Sequence, residues 1–424
     1  MKILVIGSGG REHAICRKLS ESPLTSALYC APGNAGIAEC ATCFPADVND
    51  PGSLANLAES VGADLTVIGP EAPLVAGVAD VFQMRGLRLV GPSATAARLE
   101  GSKIFAKQFM ARHLIPTAQF TACHSVESAR AAMGLEYTFP VVVKADGLAA
   151  GKGVRIAHSQ EEFDAAINDL MVERVFGEAG SRIVLEQCLV GREASVMIFT
   201  DGKDYRVIPA AQDYKRVKDY DVGPNTGGMG SFSTPGLIDA AMLERITREI
   251  IEPTLGGMNA EESPFSGILY TGLMLTESGP KVIEYNARLG DPETQAVLVR
   301  LESDLVEIFN AIADGSISST VVSWSEDSSV CVVAVSNGYP GQFEKGKPIA
   351  GLDEAKLTEG VIVFHAGTVR DEQGSFLTSG GRVLNVTARA RTLEEARARV
   401  YEAVGKIGFE GMHYRTDIAR TAFD

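Results

Sequence analysis

Long apolar runs are missing from this chain of 424 residues. No stretch reaches the roughly 18 consecutive apolar residues needed to cross a bilayer, so a membrane-embedded protein is not expected. The opening MKILVIGSGGREH carries only a short apolar run before polar and charged residues arrive, too little for the core of a secretion signal. A cytoplasmic location is expected. Dense runs of Lys and Arg are lacking too, and 39 basic against 54 acidic residues leave a net charge of −15. That balance opposes binding to a phosphate backbone, because nucleic-acid proteins displace counterions with a basic face. Neither nucleic acid nor membrane is an expected partner. Small molecules are, with locally basic sites wherever those molecules are anionic.

Cysteine and histidine are scarce and scattered. Among seven Cys, the close pair Cys40 and Cys43 has no second CxxC or His pair nearby to complete a tetrahedral zinc site. Reduced structural thiols are expected. The six His give neither a hydrolytic metal cluster nor a Cys–His dyad by spacing. Low-complexity tracts and internal repeats are also absent, and the length exceeds what one ordinary core supports, so several modules are expected with the chemistry between them.

What is present begins with alternation. KILVIG, ALYCAP, ADLTVIG and LRLVG are separated by helical stretches, one starting at Arg11 and one after Asp50-Pro51. This predicts a parallel sheet wrapped by helices, with ligands at the carboxyl ends of its strands. The first loop, Gly7-Ser8-Gly9-Gly10, is either a phosphate site or a plain tight turn. It is not a dinucleotide fingerprint, since Glu12 stands where the third glycine belongs and the second strand ends in Cys30-Ala31-Pro32 rather than an acid. After Gly101 a Ser cap introduces a helix carrying Phe105 and Phe109, and the texture then changes to strands joined by glycine-rich loops. An Asp201-Gly202 hairpin turn is expected there. From about Val330 a third pattern, CVVAVSNGYPG, GVIVFHAGTV and GGRVLNVTARA, precedes a helix announced by Thr392 and Glu395.

Four segments carry candidate chemistry. Lys144-Ala-Asp-Gly-Leu-Ala-Ala-Gly-Lys-Gly153 leaves backbone amides uncovered between two lysines, as a loop folding over a triphosphate requires. Its spacing and strand-loop-strand setting differ from a Walker A motif. Glu186-Gln-Cys-Leu189 with Glu193 sits where a hinge is expected; backbone groups there can read an adenine edge and Glu193 can accept ribose hydroxyls, although a surface carboxylate pair fits equally. Asp213-Tyr-Lys215-Arg216 precedes Gly-Pro-Asn225-Thr226-Gly227-Gly228-Met-Gly230, which suits a backbone approaching an anion. In Lys281-Val-Ile-Glu284-Tyr-Asn286-Ala-Arg288-Leu-Gly-Asp291-Pro-Glu293-Thr294, period-two alternation puts Glu284, Asn286 and Arg288 on one face. Hard oxygens from Glu284 and Asn286 suit magnesium, and Arg288 offers a fork for phosphate or carboxylate. A solvated sheet face would show the same stripe.

Together these segments resemble the ATP-grasp superfamily and, within it, the phosphoribosylamine–glycine ligases of purine biosynthesis. The carriers, spread over essentially the whole chain, are GSGGREHA at 7–14, APGNAGI at 31–37, GPEAPLVAGVAD at 69–80, LEGSKIFAK at 99–107, KADGLAAGKGV at 144–154, GPNTGGMG at 223–230, NARLGDPETQ at 286–295 and GGRVLNV at 380–386. The resemblance implies an α/β chain: an N-terminal parallel-sheet domain over 1–101, a central ATP-grasp α+β module over 102–325 with a mobile lid at about 120–190, and a small mixed α/β domain over 326–424. It implies that Lys103, Lys144 and Lys215 neutralise nucleotide phosphates under a loop containing Gly147, Gly151 and Gly153. Glu186 and Leu189 would face the adenine, Glu193 the ribose, and Glu284 with Asn286 would hold magnesium, manganese being an alternative. Asp213, Lys215 and Arg288 would be catalytic, with Asp213 and Arg288 approaching glycine. Asn225, Gly227, Gly228, Asp291 and Thr294 would complete the substrate surface.

The implied reaction joins glycine to 5-phosphoribosylamine through glycyl phosphate, with ATP as co-substrate and no protein nucleophile, in a chain expected to be monomeric. Gly9, Gly10 and Arg11 are nominated for the phosphate of the amine substrate. Three departures from relatives stand out: Tyr214 in place of His, Leu289 in place of Phe, and Gly272 where a first metal carboxylate usually precedes the second by about twelve residues. An ATP-grasp enzyme using formate or bicarbonate, and a catalytically silent nucleotide-binding protein, are the alternatives.

Overall fold

The computed structural model describes residues 1–149 and 152–422, so Gly151 lies outside the described residues. Strand Lys2–Gly7 is buried over Ile3 to Gly7 and forms the middle of a five-stranded parallel sheet. The order across it is Thr42–Cys43, Ala27–Pro32, Lys2–Gly7, Leu65–Ile68, Leu89–Val90. Helix Gly10–Ser20 follows the first strand, and Asp50 caps helix Pro51–Val61 by accepting the Ser53 amide at 3.1 Å. The next helical stretch is divided into Glu71–Val75 and Val78–Met84, with Gly77 in a left-handed conformation between them.

Ser102 caps helix Lys103–Arg112 as expected, accepting from Phe105 N at 3.1 Å. Beyond it, Phe120–Cys123, Ile183–Gln187, Val141–Ala145 and Val154–Ala157 form a four-stranded antiparallel sheet. Helices Val126–Glu136 and Gln160–Ile167 cover it, and Val143, Phe163 and Leu170 lie in an apolar core of its own. This layer coincides with the region expected to act as a lid.

The largest sheet has eight strands in the order Gly279–Asn286, Ser266–Thr276, Arg192–Asp201, Tyr205–Asp213, Gly230–Ser233, Ser328–Val335, Arg382–Ala390, Val361–His365. Its fifth and sixth members pair antiparallel across the expected boundary near residue 325. The carboxyl-terminal α/β segment therefore extends the central sheet. Thr392 caps helix Leu393–Val404 through the Glu395 amide at 3.2 Å.

The carboxyl-terminal segment also grips the Asp213–Asn225 region. Arg415, fully buried, holds Asp417 through two 2.7 Å hydrogen bonds, Asp221 at 2.7 Å and the Arg216 carbonyl at 3.1 Å. Its guanidinium carbon lies 4.8 Å from the centre of the Tyr214 ring, a cation–π contact that gives the tyrosine at this position a packing role. Arg415→Lys keeps the charge but loses the planar fork. It is expected to cost about 2 kcal/mol, the scale of hydrogen bonds to charged groups, in a urea titration; an unchanged midpoint would contradict the role of Arg415 as an anchor.

Candidate active site

The glycine loop leaves strand Val141–Ala145 and returns in Val154–Ala157, as its composition predicts. Its start is anchored by Asp146, whose Oδ1 accepts from Ser102 Oγ and Ile104 N at 2.8 Å and whose Oδ2 pairs with Arg182 at 2.7 Å. Lys103 Nζ donates to the Gly147 carbonyl at 3.2 Å, and the Gly147 amide reaches Ala179 O at 3.3 Å. The Gly153 carbonyl accepts from Ala145 N at 2.9 Å and closes the loop.

Lys144 is buried and bridges the four-stranded and eight-stranded sheets, donating to Glu186 Oε2 and to the Ile283 carbonyl, each at 3.1 Å. Glu186 is also buried and pairs with Lys107 at 2.8 Å, a lysine not singled out by the sequence reading. Burial alone would raise the Glu186 carboxyl, but Lys144 and Lys107 hold it below its ordinary value. Glu186 Oε1 is buried as well, 3.0 Å from Lys144 Nζ, so the lysine straddles both carboxylate oxygens. Leu189 is half-buried in the linker after Glu186, and Glu193 begins the central sheet with an exposed side chain.

Across this crevice strand Gly279–Asn286 carries Glu284 and Asn286 on one face. The strand stops at Asn286, so Arg288 belongs to the following loop rather than to the expected stripe, yet its Nη2 still reaches Asn286 Oδ1 at 3.3 Å. Lys215 Nζ lies between Glu193 Oε2 at 3.4 Å and Glu284 Oε1 at 3.5 Å. Burial pushes the Glu284 carboxyl up, but Lys215, Lys144, Lys103 and Arg288 bring it to about 2, leaving an ionised hard ligand. Burial lifts Asp213 above the usual carboxylate range, with Glu293, Glu193 and Glu284 adding to the rise and Lys215 opposing it. Gly272 stands opposite Glu284 in the strand pairing. Among the described residues no group of three or more His, Cys, Asp or Glu is arranged to hold a metal ion. The donor set still fits magnesium, which commonly takes one or two protein oxygens and completes its shell with phosphate and water.

Arg288 is fixed by two carboxylates from the amino-terminal region, Glu71 Oε2 at 3.2 Å from Nε and Glu100 Oε1 at 2.9 Å from Nη2. Both lie in the GPEAPLVAGVAD and LEGSKIFAK segments, and neither was singled out by sequence. Glu100 Oε2 additionally accepts the Ala287 amide at 2.7 Å. Burial raises the Glu100 carboxyl to about 7 against the pull of Arg288, whereas Arg288 and Arg11 overcome burial at Glu71 and bring it to about 2. The signs differ accordingly. Glu71 stabilises the fold at neutral pH, and that contribution is lost as pH falls from 4.5 towards about 2. Glu100 favours the protonated form, so its contribution to stability declines as pH rises from 4.5 to about 7. As ionised Glu100 holds Arg288, kcat/KM for the carboxylate substrate is expected to fall below about pH 7. Glu100→Gln should flatten this acid limb; a limb unchanged in the variant assigns it to another group.

The amino-terminal loop is arranged differently from its nomination. Glu12 folds back so that its carboxylate accepts from Gly9 N at 2.5 Å and Arg11 Nε at 2.6 Å. A Cβ on Gly69, after the neighbouring strand, would lie 2.1 Å from Glu12 Oε1. The crevice at the carboxyl ends of these strands is thus filled from within by a carboxylate. Arg11 is buried and also donates to the Leu289 carbonyl at 3.2 Å, and Gly10 packs against Asn385 and Gln295. Gly9 instead lines a cleft of about 700 Å³ with Ser8, Asn34, Asp291, Thr368 and Arg382. Asp291 pairs with Arg382 at 2.8 Å and accepts from Gln295 at 2.7 Å. Asn225 lies opposite Arg216 in a two-stranded ribbon. Gly227 donates its amide to Tyr339 Oη at 3.0 Å, and Gly228, at φ 115°, abuts Pro292. Thr294 is fully buried with its hydroxyl on the Gly290 carbonyl.

Residues 1–100, 101–294 and 329–421 match, in turn, the N domain, the ATP-grasp (A) domain and the C domain of phosphoribosylglycinamide synthetase. A phosphoribosylamine–glycine ligase of Agrobacterium fabrum is 48% identical over 418 residues, covering 99% of this chain and 98% of its own length. One from Caldanaerobacter subterraneus is 46% identical over 419 residues, covering 99% of both. The crystal structure of the Thermotoga maritima phosphoribosylamine–glycine ligase superimposes with a TM-score of 0.84 at 35% identity, covering 99% of this chain and 100% of that one. The biotin carboxylase domain of Hydrogenobacter thermophilus 2-oxoglutarate carboxylase, solved with MgADP, shares the fold at a TM-score of 0.72 and 18% identity over 97% of this chain and 91% of its own. With three matched segments running in order along nearly its whole length, the chain belongs to the phosphoribosylglycinamide synthetase family.

Proposed function

We propose that the chain joins glycine to 5-phosphoribosylamine with ATP, giving 5-phosphoribosylglycinamide, ADP and phosphate through glycyl phosphate in de novo purine synthesis. The observation that carries this reading is one crevice in which Lys215 lies 3.5 Å from Glu284, Lys144 bonds the neighbouring Ile283 carbonyl, Arg288 reaches Asn286 and Lys103 bonds the start of a glycine loop. A glycine carboxylate is unreactive towards amines near neutral pH. Transfer of the γ-phosphoryl group to it creates a leaving group, and positioned cations stabilise the charge that develops during transfer.

The lysines neutralise the nucleotide phosphates, and the loop around Gly147 and Gly153 covers them. Glu186, held by Lys144 and Lys107, faces the adenine. Leu189 packs on the base and Glu193 takes ribose hydroxyls. Magnesium held by Glu284 and Asn286, or manganese in its stead, would supply further neutralisation of phosphate charge. Arg288 attracts the glycine carboxylate with its charge and the one Nη1 N–H its partners leave free, and Asp213 receives the ammonium group, whose charge favours the ionised carboxyl. The amine substrate enters the cleft bearing Gly9, Asp291 and Arg382, where its nitrogen attacks the acyl carbon and phosphate departs. Water must be kept from the acyl phosphate, which the sheet over 120–190 does by closing as a lid.

Residues 1–101 and 326–424, with Asp291 of the central module, then form the walls of the amine site, and the rest of 102–325 the nucleotide site. The chain acts as a monomer in the cytoplasm; no described helix is long and apolar enough to cross a membrane. Turnover with glycine carrying heavy oxygen in its carboxylate tests the intermediate. The bridging oxygen of an acyl phosphate stays with phosphorus when the amine attacks carbon, so labelled phosphate is expected. Unlabelled phosphate would overturn this route.

A further inference from the structure

Lys152, the second lysine of the glycine loop, has a role different from that of its partner Lys144. Its Nζ points to the carboxyl-terminal segment, donating to the Pro340 carbonyl at 2.8 Å, and lies 5.9 Å from the centre of the Tyr339 ring. Tyr339 faces two ways. Its hydroxyl accepts the Gly227 amide at 3.0 Å, and its ring rests on Gly381 so closely that a Cβ there would lie 2.3 Å from Cδ2. The Gly227 carbonyl accepts from Arg382 Nη1 at 2.6 Å, and the same guanidinium holds the Asp291 carbonyl at 2.9 Å and Asp291 Oδ2 at 2.8 Å. Asp291 and Arg382 line the cleft that also contains Gly9. A continuous set of contacts thus runs from the nucleotide loop through Tyr339 and Gly227 to the cleft.

We propose that Tyr339 and the Pro340 carbonyl form a dock for Lys152 that couples closure of the nucleotide loop to the arrangement of the amine cleft, making Tyr339 and Lys152 positioning residues. This rests on the ligase reading above. An undocked loop leaves the acyl phosphate open to water while the amine is still being placed: water then attacks the acyl carbon, glycine and phosphate are released, and ATP has been consumed without product. The dock lowers this loss by making the loop and the Gly227–Arg382 contacts settle together. With the cation bonded to the Pro340 carbonyl and 5.9 Å from the adjoining ring centre, the two residues are expected to act as one unit.

The test measures ADP formed per phosphoribosylglycinamide in the full-length protein and in Lys152→Met, Tyr339→Phe and the double variant, with melting temperatures alongside. Tyr339→Phe keeps the ring on Gly381, and Lys152→Met alters a loop side chain, so both are expected to fold. The unaltered chain should give close to one ADP per product, with a small excess from hydrolysis. Each single variant should raise that excess roughly fivefold, as expected for losing one hydrogen bond, and the double variant should be no worse than the more affected single one. An excess that does not rise, or single effects that multiply in the double variant, overturn the dock. A chain without substitutions that makes no product would instead overturn the ligase reading.

Discussion

Replacing Arg288 by Met is expected to reduce turnover on the order of 10²–10³-fold, the scale for removing one preorganised charge-stabilising group. The guanidinium is held on several sides: Glu71 and Glu100 take Nε and Nη2, the Leu289 carbonyl takes Nη1 at 3.1 Å, and Asn286 shares Nη2. Such a grip fixes the fork before substrate arrives, so little reorganisation is needed during phosphoryl transfer. Arg288→Lys should recover little of the loss, because an ammonium cannot span Glu71, Glu100 and the Leu289 carbonyl while still reaching a substrate. Stability should suffer less than activity. With Arg288 gone, Glu100 can take up a proton, its carboxyl already lying at about 7. Steady-state kinetics in glycine and a urea titration separate the two effects; near-normal kcat with a large loss of stability would make Arg288 a structural residue.

Glu186→Gln is expected to destabilise the chain by about 3–5 kcal/mol, as removal of one partner from a buried ion group does. Lys107 and Lys144 would then stand together without their shared carboxylate. Burial already lowers Lys107 to about 8, with Glu186 opposing that shift. A lysine lowered in the fold releases its proton before the unfolded chain does, so stability rises with pH over that range. The destabilisation should therefore shrink as pH rises from 7 to 9. Nucleotide affinity should fall too, since Lys144 would lose the carboxylate that orients it. A urea midpoint unaltered at pH 7 would contradict the central place given to this group.

How far this was legible depends on the range of the interactions involved. Strand alternation, Ser102, Asp50 and the glycine loop express themselves within a few residues, and they appear where periodicity and capping put them. Glu284 and Asn286 were legible because period two is a local rule, whereas Arg288 lies past the strand end, which no alternation marks. Lys107 reads as an ordinary polar position of an amphipathic helix, and only its packing against strand Ile183–Gln187 makes it a partner of Glu186. Glu71 and Glu100 reach Arg288 across the boundary of two sheets, and Arg382 reaches Asp291 from the carboxyl-terminal strand. Glu12 is instructive in the opposite sense. In the sequence it stands only as a missing glycine, yet its carboxylate accepts from the Gly9 amide and the Arg11 guanidinium, the groups nominated for a phosphate.

Activation of glycine for one particular amine in the crevice of Lys103, Lys144, Lys215 and Arg288 is open to direct test. The most direct measurement is ADP formation by the purified chain with ATP and magnesium, supplying glycine, formate or bicarbonate, each with and without freshly prepared phosphoribosylamine. Rapid ADP release that requires glycine and phosphoribosylamine together is the predicted result. Release driven by formate or bicarbonate, or none with any acid despite bound ATP, would contradict it.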